Sequence, residues 1–492
     1  MPRPPADELG KGVHRARSAK ATCDLVLARL AALEEPILDG YERIERPSGI
    51  PQYLIGGTGR YTARVHTPGA NGKGHTWDQA LASGLMELVE RFSSYGHLEA
   101  LRNARRCPLA DLGDNEYGLA DLFGCFVKPP LRYLTDDELA AMPLTWFEGR
   151  TLSGRRAYLP EALNRLIIQG GNGMAAGNTP DEAVIQALCE VVERHCDTLI
   201  RHHRLQTPRI DGRTIDSTVL RGLIGRFEAL GHQVQVHDFS LDTGLPVFGV
   251  LRVLSDGMVE VTTGVAPWRD EALARTLTES SQGERGPRCL PAAEAATLRQ
   301  PSGTRSFAEM PSLEGGDLRD EIARFAQRFE RLGWRAFVID TTDPELGLPS
   351  VIVDVAGAKY RYPATWEAPT DLVGVMSDAD KAGDTATVAR CLDLLAERAT
   401  DIDSVMARHL YAGRLRHDQG RVREATEELE TVVEAFGSAP EKDRRLLAVG
   451  SASQISGWCA EAGDADGALR WLERARAIRR IAPADGGSGA GP

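Results

Sequence analysis

The sequence predicts an α+β domain built on a duplicated plan and followed by an all-α region. Three observations carry that prediction. A helical segment recurs: Thr76 to Arg91 reads TWDQALASGLMELVER and Thr179 to Arg194 reads TPDEAVIQALCEVVER, with Thr, Ala, Leu, Glu, Val, Glu and Arg at the same offsets, 103 residues apart (76 to 179). A second unit recurs as RFEALGHQVQVHDFSLDTGLPVFGVLRV from Arg226 and RFERLGWRAFVIDTTDPELGLPSVIVDV from Arg328. Each copy reads as a helix ending at Gly, a strand, a Gly-Leu-Pro turn and a second strand, which implies largely antiparallel sheets. After Pro369 the strand signal stops, and Ser377 to Arg480 is Ala/Leu/Arg/Glu-rich and helical.

The composition bounds the function. At 492 residues the chain has room for two to four domains and a large core. Acidic residues exceed basic ones by 70 to 58, a net charge of -12, so sequence-independent attraction to nucleic acid or anionic lipid is not its business. The eight cysteines form no C-x-x-C pair and read as reduced, mostly buried thiols. No apolar run approaches the roughly 20 residues that a membrane span needs, nor does MPRPPADELGKG carry a signal-peptide core. The expectation is a soluble, cytoplasmic protein with no membrane partner.

Each repeated segment opens as a capped helix, Thr76 with Gln79 and Thr179 with Glu182, the second with Pro180 at its first position. A third, looser copy begins at Glu271, EALARTLTESSQ, where Ala272, Leu277 and Glu279 match Ala183, Leu188 and Glu190. Steps of four, four and three residues along the helices select one face in each: Gln79, Ser83, Glu87, Glu90; Glu182, Gln186, Glu190, Glu193; Glu271, Arg275, Glu279, Gln282. One such stripe alone is a solvated face with i,i+4 ion pairs such as Glu87 to Arg91 and Glu190 to Arg194. A register kept through duplication instead points to a shared site lined by both copies. Converging carboxylates need cations, and hard oxygens without a His/Cys set point to Mg²⁺. The Gly-rich approaches Asn71-Gly72-Lys73-Gly74 and Asn172 to Asn178 read as loops that let backbone N–H groups near a phosphate, although GANGKGHT is not a Walker A.

Taken in order, NGKGHT with SGLMELVER, NGMAAGNTPDEAVIQALCEVVER and DEALARTLTESSQGERG resemble the YcaO family of ATP-dependent peptide-backbone amide modifiers, from about Leu9 to Pro363. The resemblance implies a catalytic domain over residues 9–369, an ATP site without a P-loop, and Mg²⁺ held by glutamates. Carried over residue by residue, Glu87, Glu90, Glu190, Glu193 and Glu279 match metal positions. Lys11, Ser18, Asn178, Glu182, Arg194 and Arg275 match nucleotide positions, with Arg275, Glu279 and Arg194 closest to the chemistry. Ala175 stands where some members carry Ser. In that chemistry a nucleophile adds to an amide carbonyl and the oxyanion takes the γ-phosphoryl group of ATP, so positioning and charge neutralisation suffice and no Ser-His-Asp set is needed. Cys189 and Cys196 read as packing thiols, and His195, His202 and His203 as surface residues complementing a helix dipole.

Residues 377–480 resemble a tetratricopeptide-like tail: GRVREATEELETVVEAF from Gly420 and GDADGALRWLERARAI from Gly463 share a pattern at a 43-residue offset (420 to 463). Residues 1–8 read as disordered and 481–492 as a flexible tail. Pro108 to Leu159 has no clear period and reads as loops and short elements. The chain shows no E1-like domain and ends GGSGAGP, not in a Pro-rich terminus, which tilts the reaction toward thioamide formation or ribosomal-protein modification. The alternative is an azoline-forming cyclodehydratase. Expected partners are a peptide or protein substrate, a TfuA-like or methylthiotransferase protein, and a second copy of the chain. Two readings from other classes stand beside these: a nucleotide-binding scaffold that recruits partners through its helices, and a carboxylate-amine ligase.

Overall fold

The recurring units fold alike, and their apolar strands build the sheets against which three long amphipathic helices are laid. The computed structural model describes residues 15–481 apart from 119–120, 122–124, 126, 128–130, 162–170, 286–288, 314 and 360–369; Lys11, the expected disordered start and all but Ile481 of the expected tail lie outside the described residues. Helix α1 (Ala19–Ala31) leads into strands β1 (Leu38–Ile44) and β2 (Gln52–Gly57), the short helix α2 (Gly59–Val65), strand β3 (Gly69–Lys73) and the long helix α3 (Trp77–Glu99). Strand β4 (Ala104–Cys107), helix α4 (Asp136–Ala140) and strands β5 (Leu144–Thr151), β6 (Arg156–Pro160) and β7 (Met174–Ala176) precede the second long helix, α5 (Pro180–His203). Then come β8 (Arg209–Ile210), α6 (Thr218–Glu228), β9 (Gln233–Asp238), β10 (Val247–Val253), β11 (Val259–Val265) and the third stripe-bearing helix, α7 (Arg269–Ser280). Helix α8 (Ala292–Leu298), strand β12 (Thr304–Arg305), helix α9 (Leu318–Leu332) and strands β13 (Arg335–Asp340) and β14 (Ser350–Ala356) complete the α+β part.

Three sheets result, with orders β1-β2-β3, β11-β10-β9-β8-β12 and β4-β5-β13-β14-β7, the last with β6 also on β5. The pairing is antiparallel throughout except β8 with β12. The duplicated helix–hairpin units are α6-β9-β10 and α9-β13-β14, and both hairpins keep a continuous antiparallel register, Phe248 opposite Asp238 in one and Ala336 opposite Val355 in the other. Helix α5 is the centre: Ala183, Ala187, Leu188, Val191, Val192 and Ile200 are buried in the main core, against β14 and β7 on one side and β11 on the other. Helix α3 crosses β3, β7 and β14, and α7 lies on β10 and β11. The three stripe-bearing helices are thereby held around one volume.

The Gly-rich approaches differ from the sequence expectation. Asn71-Gly72-Lys73 is the end of strand β3, in register with β2, not a free loop. A Cβ on Gly72 would stand 1.9 Å from the Ala80 carbonyl oxygen and 2.7 Å from the Gly84 nitrogen, and one on Gly177 would stand 2.6 Å from the Ala183 nitrogen. These glycines exist so that a strand can press against the first turns of its own helix. The stretch from Pro108 to Leu159 also differs, since β5 lies inside it as a full member of a sheet. Its first four residues, Leu144 to Phe147, are all buried, so no alternation of apolar and polar residues marked it as a strand.

From Asp371 onward the described chain is helical: α10 (Asp371–Lys381), α11 (Thr385–Arg398), α12 (Ile402–Asp418), α13 (Val422–Phe436), α14 (Lys442–Glu461) and α15 (Ala465–Arg479). Helices α13 and α15 keep the 43-residue offset (422 to 465) of the sequence pattern and pack on their neighbours in succession. The helices begin at Asp371, ahead of the Ser377 read from the sequence, and α10 is fastened to the sheet. The Asp371 carboxylate accepts from the backbone N–H groups of Tyr133 and Leu134 at 2.9 and 3.1 Å. Asp378 accepts from Thr145 N at 3.0 Å and pairs with Arg106. Leu372, Val375, Met376 and Ala379 share one core with Leu144, Trp146 and Tyr158. No helix among the described residues is long and apolar enough to cross a membrane.

The close approach of β3 to α3 gives a stability prediction. Gly72→Ala forces a backbone-to-backbone clash that no side-chain rotation relieves, so it is expected to cost about 2 kcal/mol or more. Urea denaturation of the full chain measures this, and an unchanged midpoint would contradict the packing role given to Gly72.

Candidate functional site

Thr76 caps α3 by accepting from Gln79 N at 3.2 Å, and Thr179 caps α5 by accepting from Glu182 N at 3.2 Å. The reciprocal halves of the expected capping boxes are redirected. Gln79 Oε1 accepts from His75 N at 3.3 Å. Glu182, almost wholly buried, accepts from Asn178 Nδ2 at 3.1 and 3.2 Å and from Ala16 N at 3.0 Å. Arg15 reaches Glu182 at 3.5 Å and Glu271 at 3.6 Å, tying α5 to α7. Ser18 caps α1, and Thr22 Oγ1 donates to Asn178 Oδ1 at 3.2 Å. The segment from Arg15 to Thr22 therefore lies across the first turn of α5, which brings Ser18, Asn178 and Glu182 to one end of the site.

The stripes face one another farther along. Lys73, at the end of β3, pairs with Glu279 of α7. Arg91 pairs with Glu87, and Arg194 pairs with Glu190 at 3.2 Å. Thr263 Oγ1 on β11 donates to Glu193 Oε1 at 3.2 Å, and Arg275 Nη1 donates to Gln186 Oε1 at 2.7 Å. The i,i+4 pairs of an ordinary helix surface are present, but they sit on the walls of a cleft and not on an outer face. Solvent reaches these side chains while protein surrounds them, an environment that disfavours their charge. Burial raises Glu90 well above the usual carboxylate range, with the charges of Glu190 and Glu87 adding to the rise. Burial, against the opposing charge of Arg194, pushes Glu190 up to about 7, with Glu193 reinforcing it, and burial raises Glu193 as well. Lys73 is held above its ordinary value: burial works against its charge, and Glu279 and Glu87 more than restore it.

Every predicted site residue within the described part reaches this cleft or the N-terminal segment that closes one end of it. Among the described residues no three carboxylate, imidazole or thiol groups close into a ready-made metal cage, and Lys73, Arg91 and Arg194 pair with three of the glutamates. Gln282 leaves the third stripe by falling in a 3-10 turn, Ser281–Arg285. Arg15, Lys73, Gln186 and Thr263, the partners of the predicted residues, differ in how far the sequence marks them: Lys73 lies in NGKGHT and Gln186 on the second stripe, whereas Thr263 on a strand carries no signal.

His195 corrects an expectation: it is buried, not at the surface. Its ring packs edge-on to Trp334 at 4.6 Å, its Nδ1 accepts from Lys359 N at 2.8 Å, and burial lowers it to about 4, leaving it neutral. His202 and His203, at the C-terminal end of α5, are exposed as expected. Cys189 and Cys196 are buried packing thiols whose pKa burial raises, which leaves them protonated.

The family model described as YcaO cyclodehydratase, ATP- and Mg2+-binding, matches residues 71–359, more than half of the chain. An uncharacterised protein of Methanothermobacter thermautotrophicus is 26% identical over 58% of this chain and 80% of its own length. An uncharacterised protein in the tfuA 3′ region of Rhizobium leguminosarum bv. trifolii is 30% identical over 43% of this chain, and the ribosomal protein S12 methylthiotransferase accessory factor YcaO of Escherichia coli K12 is 29% identical over 43%. The chain covers 53% and 40% of the length of those two relatives. Two solved structures share the fold: a heterocyclase in complex with substrate and cofactor (TM-score 0.59, 22% identity, 71% of this chain and 54% of that one) and YcaO from Methanopyrus kandleri bound with AMPPCP and Mg2+ (TM-score 0.54, 23% identity, 70% and 92%).

The raised carboxylates predict a pH dependence. A carboxyl whose pKa is higher in the folded than in the unfolded chain binds its proton more tightly when folded, so ionising it subtracts from stability as pH rises. For Glu190, moved from 4.5 to about 7, the ligand-free protein is expected to lose about 1 kcal/mol between pH 6 and pH 8. Thermal melts at the two pH values check this against Glu190→Gln, whose loss should be smaller; equal losses in both proteins would contradict the assignment.

Proposed function

The chain belongs to the YcaO family, and from that premise we propose that it uses Mg-ATP to O-phosphorylate a backbone amide of a peptide or protein substrate. The observation that carries the proposal is the convergence of three acidic helix faces on one cleft, where burial and the facing charge of Glu190 raise Glu90, and burial raises Glu190 despite its pair with Arg194. The donors are hard oxygens with no imidazole or thiolate among them, a set suited to Mg²⁺. Glu87, Glu90, Glu190, Glu193 and Glu279 would hold the metal. Bound there, it would neutralise charge on the phosphate oxygens of ATP.

The remaining roles follow from the motif matches. Arg275 and Arg194 would meet the phosphates, Asn178, Glu182 and Ser18 would seat the nucleotide at the first turn of α5, and Lys11, outside the described residues, joins them by the resemblance alone. A nucleophile adds to the substrate's amide carbon, the carbonyl oxygen takes the γ-phosphoryl group, ADP leaves, and collapse expels the oxygen as inorganic phosphate. The chain's own work is to orient the two substrates, screen charge and exclude water. With sulfide as nucleophile the product is a thioamide, or the reaction serves modification of a ribosomal protein. The likeness to a tfuA-region protein and to an S12 methylthiotransferase accessory factor supports that branch and a TfuA-like or methylthiotransferase partner. A side-chain nucleophile gives an azoline instead, the reading that the family description as a cyclodehydratase favours. A homodimer whose tetratricopeptide-like helices contact partners completes the proposal.

Glu190→Gln is expected to abolish Mg-AMPPCP binding by calorimetry while the protein stays folded, and to erase the modification seen by mass spectrometry when proteomes with and without the active protein are compared. Sulfur gained for oxygen identifies thioamidation, and loss of water identifies azoline formation. Wild-type modification by the Glu190→Gln protein would overturn the enzymatic reading in favour of a scaffold.

A further inference from the structure

The basic side chains around the cleft are not held alike. Lys73, Arg91 and Arg194 rest on Glu279, Glu87 and Glu190, and Arg15 bridges Glu182 and Glu271. Arg275 is held by an uncharged group: its Nη1 donates to Gln186 Oε1 at 2.7 Å, across from α7 to α5, and among the described residues it makes no ion pair. The orientation of the Gln186 amide follows from chemistry, since a guanidinium has donors only and the oxygen must face it.

We propose that Gln186 is a positioning residue that aims Arg275 into the cleft while leaving its positive charge uncancelled. A carboxylate at this place would hold the guanidinium equally well and neutralise it, because an acidic group accepts the same hydrogen bond and adds a charge of opposite sign. Position 186 lies on the acidic stripe between Glu182 and Glu190, so an acidic residue would fit the local pattern. The amide instead gives directional hold without charge. The charges of Glu190 and Glu193 already reach Arg275, and the Gln186 hydrogen bond keeps it from collapsing onto them. The consequence is a cation reserved for an anionic ligand. This inference rests on the reading of Arg275 as a phosphate contact.

Calorimetric titration with Mg-AMPPCP of full-length Gln186→Glu, Gln186→Met and Arg275→Met proteins, with melting temperatures taken alongside, tests it. Gln186→Glu, which keeps the acceptor and adds the charge, is expected to weaken binding about tenfold with little change in melting temperature. Gln186→Met, uncharged and without the acceptor, is expected to weaken it less. A purely structural role gives the reverse order, with Gln186→Met the worse of the two and affinity falling in step with melting temperature; that order overturns the proposal, as does wild-type affinity in Gln186→Glu. Should Gln186→Glu fail to fold, wild-type affinity in Gln186→Met overturns it. Arg275→Met separates the two readings. If it binds as the wild type does, the phosphate role of Arg275 falls and the role of Gln186 with it. If it binds weakly while Gln186→Glu binds normally, only the role of Gln186 falls.

Discussion

Repulsion between carboxylates is the constraint around which this molecule is organised. Glu90 of α3 and Glu190 of α5 approach from segments far apart in the chain, inside a cleft where burial already disfavours their charge. Such an arrangement is costly for folding alone and persists only where the surrounding structure over-determines it. That structure is visible. Strand β3 is pressed onto α3 through Gly72, α5 is wedged between two sheets by an almost wholly apolar inner face, and α7 lies on β10 and β11.

The protein's own cations relieve the repulsion in part. Lys73 answers Glu279 from a neighbouring strand, while Arg91 and Arg194 answer Glu87 and Glu190 from the next turn of the same helices. These are partly solvated pairs, and such pairs are worth little individually. They neutralise without locking, which suits a site proposed to exchange them for a metal ion and a triphosphate. The buried pairs elsewhere behave differently. Asp371 and Asp378 are fully enclosed and satisfied by backbone N–H groups and Arg106, and they fasten α10 to the sheet as permanent structure.

The sequence made the helices and their acidic faces legible because both depend on local order: a capping residue, a 3.6-residue period and a register kept through duplication. The helix–hairpin units were legible for the same reason, since glycine, proline and alternating apolar residues are local signals. What escaped was decided by tertiary contact. Strand β5 opens Leu-Thr-Trp-Phe, all four buried, so burial on both faces erases its period, and α10, capped by Thr370, is fastened by aspartates that reach across space. The glycines before α3 and α5 were read for backbone access to a ligand, whereas their missing side chains serve strand-to-helix packing. His195 looked like a helix-end residue, and only the fold places Trp334 over it. At the site, residue types gave the acidic members, but the partners that tune them, Arg15, Lys73 and Thr263, come from a coil segment and strands with no periodic signature.

Duplication explains why two helices carry the same glutamates, but not why the copies differ where they do. The first stripe has Ser83 where the second has Gln186, and Gln79 where the second has Glu182. In the second copy both positions reach outside their own helix: Glu182 holds Asn178 and the N-terminal segment, and Gln186 holds Arg275. In the first copy Gln79 turns back to the backbone of His75. The asymmetry follows from place. Helix α5 reaches α7 and the N-terminal segment through these two side chains, whereas α3, packed on β2, β3, α1 and α2, keeps Gln79 on the backbone just before its own first turn. A duplicated element thus kept its charge where the copies face one another and diverged where their surroundings differ. The second copy became the element that ties the rest of the cleft together.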